Sequence, residues 1–297
     1  MRAVAVHRDV VVVTSRLWQT TATALRAGGE GRSAEGLLVD SPYFPDELAL
    51  LPELLGQAGF EVSALLATHA DFDHLLGRLA FPRLALGVAD STAERLRAEP
   101  GVAQRALREE DDRNYVVRPA PLSLGAVQAL PVPGYVGLGE VELELHPAGG
   151  HSADGTAVFA PFAGVLVCGD YLSDVEIPTV VDGGSLPEYR ATLGRLASLV
   201  ERADVVVPGH GSPHDRATAL RLLEEDLAYL ERLERGDERP VLPPGRDGSR
   251  QRALHRQNVA AIRENALSKV VGSASNAAAV DDETGLPNAL RSADERL

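Results

Sequence analysis

The stretch from residue 67 to residue 77, ATHADFDHLLG, constrains this chain more than any other. Four side chains able to bind a metal stand within six positions of one another: His69, Asp71, Asp73 and His74. The apolar run over residues 62–67, VSALLA, precedes them and is typical of a short buried strand. The cluster is therefore predicted on a strand-to-helix turn, where successive side chains can converge on one point.

Imidazole and carboxylate groups are the ligands that bind zinc, iron and manganese in proteins. A purely structural interpretation also exists: Asp73 could cap a helix, Asp71 could lie in solvent, and the two histidines could make surface contacts. The rest of the chain favours metal binding, because residues of the same types follow later strands.

Length and composition indicate a globular protein with a sizeable core. The chain has 297 residues, of which 44% are hydrophobic and 24% are charged, and this suits one large domain or one domain with an appendage. The formal net charge of −14 disfavours nucleic acid and anionic membrane surfaces as partners, since both need a basic face. The expected partner is a small-molecule substrate, and a homodimer is left open.

Cysteine usage and the N-terminal segment bear on location. Cys168 is the only cysteine, so an intramolecular disulfide cannot form and nothing indicates an oxidising compartment. The first residues, MRAVAVHRDVVVVTSR, interrupt a short apolar run with charges, which is typical of a strand rather than a signal peptide. The apolar runs are also too short for a membrane span. The sequence therefore predicts a cytoplasmic protein.

Strands in bunches, separated by helices, are predicted over residues 1–213, and such a pattern favours sheets faced by helices. Residues 17–36 contain Trp18 and the closely spaced Gly28, Gly29 and Gly31, which predict a hairpin tip or a mobile flap near the substrate. Leucines spaced on one face predict an amphipathic helix over residues 215–236, and another helix is predicted over residues 251–269. We expect a catalytic domain over residues 1–213, a helical extension packed on it over residues 214–272, and a flexible tail over residues 273–297.

Three later strands each end in glycine followed by a potential ligand. His151 follows two glycines, Asp170 follows one, and His210 follows Pro-Gly. Glycine before the ligand allows the backbone to turn sharply and approach an ion closely. The candidates are then seven: His69, Asp71, Asp73, His74, His151, Asp170 and His210. Seven ligands suffice for two metal ions that share one bridging carboxylate.

In this order the motifs resemble those of the metallo-β-lactamase-fold superfamily of metallohydrolases, over roughly residues 4–213. Residues 69–74 match its His-x-His-x-Asp-His signature except at Asp71, and Asp40 matches an acid that braces the first loop. The remaining motifs are Gly150-His151-Ser152, Gly169-Asp170 and Gly209-His210-Gly211, with spacings of 78 residues from Asp73 to His151, 19 to Asp170 and 40 to His210.

The resemblance implies an α/β fold, a four-layer αββα sandwich with extra C-terminal helices and with metals at one edge of the sheets. It implies the following ligands: His69, Asp71 and His151 for one ion, Asp73, His74 and His210 for the other, and Asp170 for both. A hydroxide held by both ions would be the nucleophile, since metal binding brings the pKa of water down to about 7. Asp73 is expected to assist proton transfer.

Asp71 departs from the family pattern, where histidine is usual. With a third carboxylate, a site that holds two dications and a hydroxide has no net charge, whereas the usual site with two carboxylates keeps one positive charge. A less positive cluster is a weaker Lewis acid with a more basic bound water, and it favours harder ions. We therefore expect two divalent ions, either zinc or, because of Asp71, manganese or iron, and a pH optimum above neutrality.

The sequence thus predicts a metal-dependent hydrolase that cleaves an ester, thioester, lactone or amide bond of a small molecule. Tyr171, directly after Asp170, is a candidate donor to the developing oxyanion, with core packing as the alternative. An iron-dependent oxygenase or redox enzyme is the alternative activity, because of the carboxylate at position 71. A metal-binding regulatory protein without turnover is a further alternative.

Overall fold

A computed structural model describes residues 1–28, 35–180, 183–237, 239 and 241–263 of the protein. Within these residues thirteen strands form two sheets, and helices cover the outer face of each sheet. No helix among the described residues combines the length and the apolar character that crossing a membrane requires.

The first sheet contains seven strands that neighbour one another in chain order. They are β1 (Arg2–His7), β2 (Val10–Thr14), β3 (Thr21–Ala27), β4 (Glu35–Asp40), β5 (Val62–Leu66), β6 (Leu86–Ala89) and β7 (Val127–Leu130). Strands β1 to β4 pair antiparallel, and β4 to β7 pair parallel. Because β4 and β5 are parallel, Asp40 and the turn after β5 lie at the same edge.

The second sheet contains six strands in the order β13-β12-β11-β10-β9-β8. They are β8 (Gly134–Leu138), β9 (Val141–Pro147), β10 (Thr156–Ala160), β11 (Val165–Val167), β12 (Val205–Val207) and β13 (His214–Asp215). Strands β11 and β12 are parallel, and the other pairs are antiparallel. The chain leaving β11 and the chain leaving β12 therefore emerge side by side.

Four helices cover the first sheet: α1 (Pro45–Gln57), α2 (Gly77–Ala80), α3 (Asp90–Ala98) and α4 (Val102–Arg113). Helices α5 (Leu186–Arg202) and α6 (Arg216–Glu234) cover the second sheet together with a helix over residues 249–263, named here the C-terminal helix. A single turn of 3-10 helix, Phe72–His74, lies between β5 and α2.

Alternate residues of the central strands enter different cores, and this alternation creates the layers. Val11 and Val13 of β2 pack toward the helices, whereas Val10 and Val12 pack toward the second sheet. Likewise Leu166 of β11 packs toward α5 and α6, while its two neighbours face the first sheet. Successive strand side chains point to opposite faces, so strands buried on both faces have unbroken apolar sequences. The predicted αββα sandwich is confirmed.

The sequence predicts a hairpin tip or a mobile flap over residues 17–36, and the antiparallel pairing of β3 with β4 agrees with a hairpin. The flap is wrong for the central part, because β3 (Thr21–Ala27) is an interior strand between β2 and β4. Thr21 can be buried in this strand because its hydroxyl donates to the Pro208 carbonyl at 2.6 Å. Residues 29–34 of that segment lie outside the described residues.

The segment predicted as a helical extension is in contact with the sandwich from its first residue. Strand β13 pairs with β12, and α6 and the C-terminal helix contribute to the core outside the second sheet. The domain division after residue 213 stays a prediction. Residues 264–297, which include the end of the predicted last helix and the predicted tail, lie outside the described residues.

Candidate metal centre

The structure brings all seven predicted ligands together at one edge of the sandwich. The turn after β5 carries four of them, two on the 3-10 turn Phe72–His74. His151 follows β9, Asp170 follows β11, and His210 follows β12. The parallel pairing of β11 and β12 is what places Asp170 beside His210.

Asp170 lies between two groups of candidate ligands, His69, Asp71 and His151 in the first and Asp73, His74 and His210 in the second. Its Oδ2 atom is 3.3 Å from His151 Nε2 and 3.3 Å from His210 Nε2. Its Oδ1 atom is 3.2 Å from His74 Nε2. One carboxylate therefore faces histidines of both groups, as a bridging ligand must.

The two groups each contain two histidines and one aspartate. In the first group, Asp71 Oδ2 is 3.5 Å from His69 Nε2 and 3.4 Å from His151 Nε2. In the second group, Asp73 Oδ2 is 3.8 Å from His74 Nε2 and 3.4 Å from His210 Nε2. Within each group the ligand atoms lie within 4.8 Å of one another, close enough to surround one ion.

Three buried polar atoms at this point have no hydrogen-bond partner among the described residues: His69 Nε2, His74 Nε2 and Asp170 Oδ1. Burying a polar atom without a partner costs free energy, so three at one place need an explanation. A nitrogen and carboxylate-oxygen donor set suits a divalent transition metal. The residues present fit the metal centre that the sequence predicts.

The second nitrogen of each histidine is held by a neighbouring oxygen. The contacts from Nδ1 are to Thr68 Oγ1 for His69 (3.1 Å), Asp40 Oδ2 for His74 (3.0 Å), the Thr179 carbonyl for His151 (3.2 Å) and Thr20 Oγ1 for His210 (3.5 Å). Partners of this kind fix the ring orientation and leave Nε2 to face the metal.

Asp40 lies where the resemblance implies, at the end of β4, and braces the turn after β5. Its Oδ1 atom accepts the backbone N–H of Thr68 at 2.8 Å, and its Oδ2 atom accepts the Thr68 hydroxyl at 2.9 Å. Because Oδ2 also faces His74, one buried carboxylate fixes both the strand end and a ligand.

Gly209 shows why glycine precedes His210. A Cβ atom at this position would lie 2.2 Å from Asp170 Oδ1, 2.9 Å from His74 Cε1 and 3.0 Å from the Gly169 carbonyl carbon. No larger residue fits there unless the Asp170 carboxylate moves.

Arg95 and Asp154 belong to the site although sequence reasoning did not single them out. Arg95 Nη2 is 3.0 Å from Asp71 Oδ1, and Arg95 Nη1 is 2.8 Å from Asp154 Oδ1. The other oxygen of Asp154 accepts the backbone N–H of Ala70 at 2.8 Å. Burial would lower the pKa of Arg95, but these two carboxylates raise it. The guanidinium therefore remains charged beside the first group.

The neighbouring carboxylates raise the pKa of His151 and His210, so these histidines keep their protons when no metal replaces them. Burial would lower the pKa of His151, but Asp170 and Asp71 raise it to about 9. Burial likewise opposes protonation of His210, yet Asp170, with Glu176, raises its pKa to about 10. A cluster that attracts protons this strongly also attracts a cation.

Tyr171, predicted as a catalytic candidate, is 2% exposed. Its hydroxyl donates to the Gly149 carbonyl at 2.7 Å and accepts the backbone N–H of His151 at 3.0 Å. These contacts brace the loop that carries His151, and they occupy the hydroxyl donor that an oxyanion would need. The catalytic role stays a prediction, and the contacts favour a bracing role.

A cavity of about 770 Å³ opens onto the centre. Its walls come from the loop after β2, from α3 and α4, and from the C-terminal helix; they include Trp18, Phe72, Leu96, Ala106 and Leu254. Asp71, Asp73, His151, Asp170 and His210 also line it. A small molecule in this cavity would contact the metal ligands.

The protein is a two-sheet sandwich with helices on both outer faces, and its candidate metal ligands lie around Asp170 at one edge. The model of the metallo-beta-lactamase superfamily matches residues 17–210, well over half of the chain. The protein belongs to the metallo-beta-lactamase superfamily.

Solved structures with the same fold agree. A metallo-beta-lactamase family protein from Thermus thermophilus is 21% identical with a TM-score of 0.59, over 78% of this chain and 83% of its own. The DIM-1 metallo-beta-lactamase is 20% identical with a TM-score of 0.56, over 77% of this chain and 97% of its own. A metallo-beta-lactamase from Pontibacter korlensis is 19% identical with a TM-score of 0.53, over 75% and 98%. At these identities the likeness concerns the fold.

Proposed function

We propose that the protein is a metal-dependent hydrolase that cleaves an ester or lactone bond of an uncharged small molecule, with thioesters and amides as neighbouring substrates. The observation that carries this proposal is the position of Asp170, within 3.3 Å of three histidine Nε2 atoms from both ligand groups. When bound at such a site, two divalent ions lower the pKa of water and polarise a carbonyl oxygen.

The side chains of this chain have distinct tasks in that reaction. Asp170 joins the two groups and fixes their separation. Asp73 holds the second group and lines the cavity, so its carboxylate is placed to accept a proton from the attacking water. Trp18 and Phe72, whose ring centroids are 6.1 Å apart, give the cavity an apolar wall against which the apolar part of a substrate can pack.

The charges of the cavity support an uncharged substrate. Three arginines line it: Arg95, Arg113 and Arg250. Arg95 faces Asp71 and Asp154, Arg113 faces Glu110 at 2.9 Å, and Arg250 pairs with Glu176. Every lining arginine in the described part of the chain is thus engaged with a carboxylate. A phosphate-bearing substrate such as a nucleotide or a coenzyme thioester would need to displace one of these pairs.

The test is turnover by the metal-loaded protein on a panel of neutral esters, lactones, thioesters and a β-lactam as the amide. Asp170→Asn should reduce kcat by more than the roughly 10–100-fold typical for loss of a contact outside the ligands. The control is Asp204→Asn, whose side chain is 80% exposed, and it should retain activity. Absence of turnover on the whole panel by metal-loaded protein would favour a metal-binding regulatory protein.

An iron-dependent oxygenase is the second candidate, because His69, Asp71 and His151 form a set of two histidines and one carboxylate. Such sets bind iron in oxygenases. Oxygen consumption with a thiol substrate by iron-loaded protein, combined with no turnover on the ester panel, would select this activity. A small-molecule partner, the absence of a nucleic-acid or membrane partner and the cytoplasmic location stay predictions, and a homodimer stays open.

A further inference from the structure

The loop over residues 176–180, between Asp170 and α5, is held through its backbone by the C-terminal segment. The contacts are Arg246 Nη1 to the Glu176 carbonyl (3.1 Å), the Ile177 N–H to Gln251 Oε1 (2.8 Å), Asn258 Nδ2 to the Pro178 carbonyl (2.7 Å) and the Val180 N–H to Asn258 Oδ1 (2.9 Å). Four backbone groups within five residues therefore depend on three side chains that lie beyond residue 245.

These three side chains are buried, and Arg246 and Asn258 make further contacts. Arg246, Gln251 and Asn258 are 1%, 6% and 0% exposed. Arg246 is paired with Asp226 at 2.5 Å and with Glu225 at 2.9 Å, both on α6. Because an unpaired polar group at this depth costs free energy, these contacts favour one arrangement of the helix and the loop.

Thr179 lies between the two residues that Asn258 holds, and its carbonyl is 3.2 Å from His151 Nδ1. A carbonyl can only accept, so Nδ1 carries the proton in this contact. Nε2, which lies 3.4 Å from Asp71 and 3.3 Å from Asp170, is then the nitrogen whose lone pair a metal would take in place of a proton. The direction of one backbone carbonyl therefore decides whether His151 is ready to bind a metal.

We infer that the C-terminal helix is a positioning element of the first ligand group: Asn258, assisted by Gln251, holds the 176–180 loop so that the Thr179 carbonyl orients His151. The inference rests on the metal binding in the proposed function and is independent of the bond cleaved. The same helix carries Arg250, whose guanidinium lies 4.6 Å from the Trp18 ring centroid at the cavity. One helix thus contacts both the ligand loop and the substrate cavity.

The experiment compares Asn258→Ala with Tyr229→Phe in the full-length protein. The Tyr229 hydroxyl is 2.9 Å from Asn258 Nδ2 and 3.1 Å from His255 Nδ1, so its loss disturbs the same buried interface without removing a contact to the loop. Zinc affinity is measured in two steps by competition with a chelator, and the absorption spectrum of the cobalt-substituted protein is recorded. Asp71→Asn identifies which step belongs to the first group.

Asn258→Ala should lower the zinc affinity of the first group roughly 10–100-fold, as expected for loss of a partner that orients a ligand histidine. The zinc affinity of the second group should stay within about twofold of the wild-type value. Tyr229→Phe should leave both zinc affinities and the cobalt spectrum close to those of the wild type, even if its melting temperature falls as far as that of Asn258→Ala. Equal zinc affinity in Asn258→Ala and wild type, or equal weakening in both variants, would overturn the inference.

Where Asn258→Ala does not fold, Gln251→Ala replaces it, since it removes one contact to the loop and retains both of those made by Asn258. Gln251→Ala should lower the zinc affinity of the first group measurably but by less than about tenfold, which corresponds to the loss of one hydrogen bond. An unchanged zinc affinity would overturn the inference. Wild-type protein that binds zinc but hydrolyses nothing on the panel contradicts the proposed function alone, and these titrations remain decisive.

Discussion

Asp71 divides its carboxylate between a cation and the metal centre: Oδ1 lies 3.0 Å from Arg95 Nη2, and Oδ2 lies 3.5 and 3.4 Å from the Nε2 atoms of His69 and His151. The additional negative charge that distinguishes this site from the usual family pattern therefore has a positive partner. Arg95 is in turn shared with Asp154, which keeps its position fixed.

Arg95→Gln should destabilise the metal-free protein by less than the roughly 3–5 kcal/mol typical for removing one partner from a fully buried ion pair, because Arg95 is 17% and Asp71 33% exposed. The loss should be smaller in the zinc-loaded protein, because the dications then stabilise the freed carboxylates. Thermal unfolding with chelator and with excess zinc measures both values. Arg97→Gln, an exposed position on the same helix, is the control. A loss that is equal with and without zinc would show that Arg95 does not act on the metal centre.

Asp71→His should increase the preference for zinc over manganese, because imidazole is a softer ligand than carboxylate. The acidic limb of the pH–rate profile should also move to lower pH, since a more positive site lowers the pKa of bound water. Competition binding and the pH dependence of kcat/KM measure the two effects. Tight binding of two zinc ions by the wild type, with unchanged activity in Asp71→His, would contradict the role assigned to Asp71.

The metal-free protein should lose stability as the pH rises from about 6.5 to about 10. His151 and His210 have pKa values of about 9 and about 10 in the folded protein and about 6.5 in an unfolded chain. The folded state therefore binds more protons in this window, and its stability is greatest below the unfolded pKa. Melting temperatures in chelator across this range measure the effect, and His210→Gln should show a shallower fall. A melting temperature that rises with pH would contradict the prediction.

Gly209→Ala should displace the bridging carboxylate, because the new methyl group would overlap Asp170 Oδ1. We expect a loss of roughly 1–3 kcal/mol in stability together with weaker binding of both metals. Gly194→Ala is the matched control, since a Cβ atom at that position of α5 meets nothing within 4 Å and alanine favours a helix. Zinc titration and thermal unfolding of both variants decide whether the effect is local to Gly209.

Tyr171→Phe separates a bracing residue from a catalytic one. Loss of the hydrogen bonds to Gly149 and His151 should cost about 1–3 kcal/mol of stability and reduce kcat by less than tenfold. If the hydroxyl were an oxyanion donor, its loss would instead lower kcat about 10²–10³-fold. Steady-state kinetics on the best substrate of the panel, at a temperature where the variant is fully folded, distinguishes the two roles.

The ligands and the layers could be predicted because their signals are local in the chain. A strand end followed by glycine and a ligand is visible in three or four residues, as for Asp170 and His210. Arg95 carries no such signal: it lies among other charged residues on α3, and its buried partner Asp154 is 59 positions away. The role of Thr179 is invisible for another reason, since the group that contacts His151 is a backbone carbonyl whose direction depends on tertiary packing.

The interior position of β3 could not be predicted from composition either. Its polar threonines do not indicate burial, and the partner of Thr21, the Pro208 carbonyl after β12, comes from a distant part of the chain.

The ligands come from both halves of the sandwich, four after β5 of the first sheet and three after strands of the second. Ions bound there would form a noncovalent cross-link between two sheets that otherwise meet through apolar side chains and through contacts such as the bridge between Thr20 and His210. Metal occupancy would then govern how often the two halves separate. Loading with metal should slow amide hydrogen exchange in both sheets together, far beyond the residues that touch the ions.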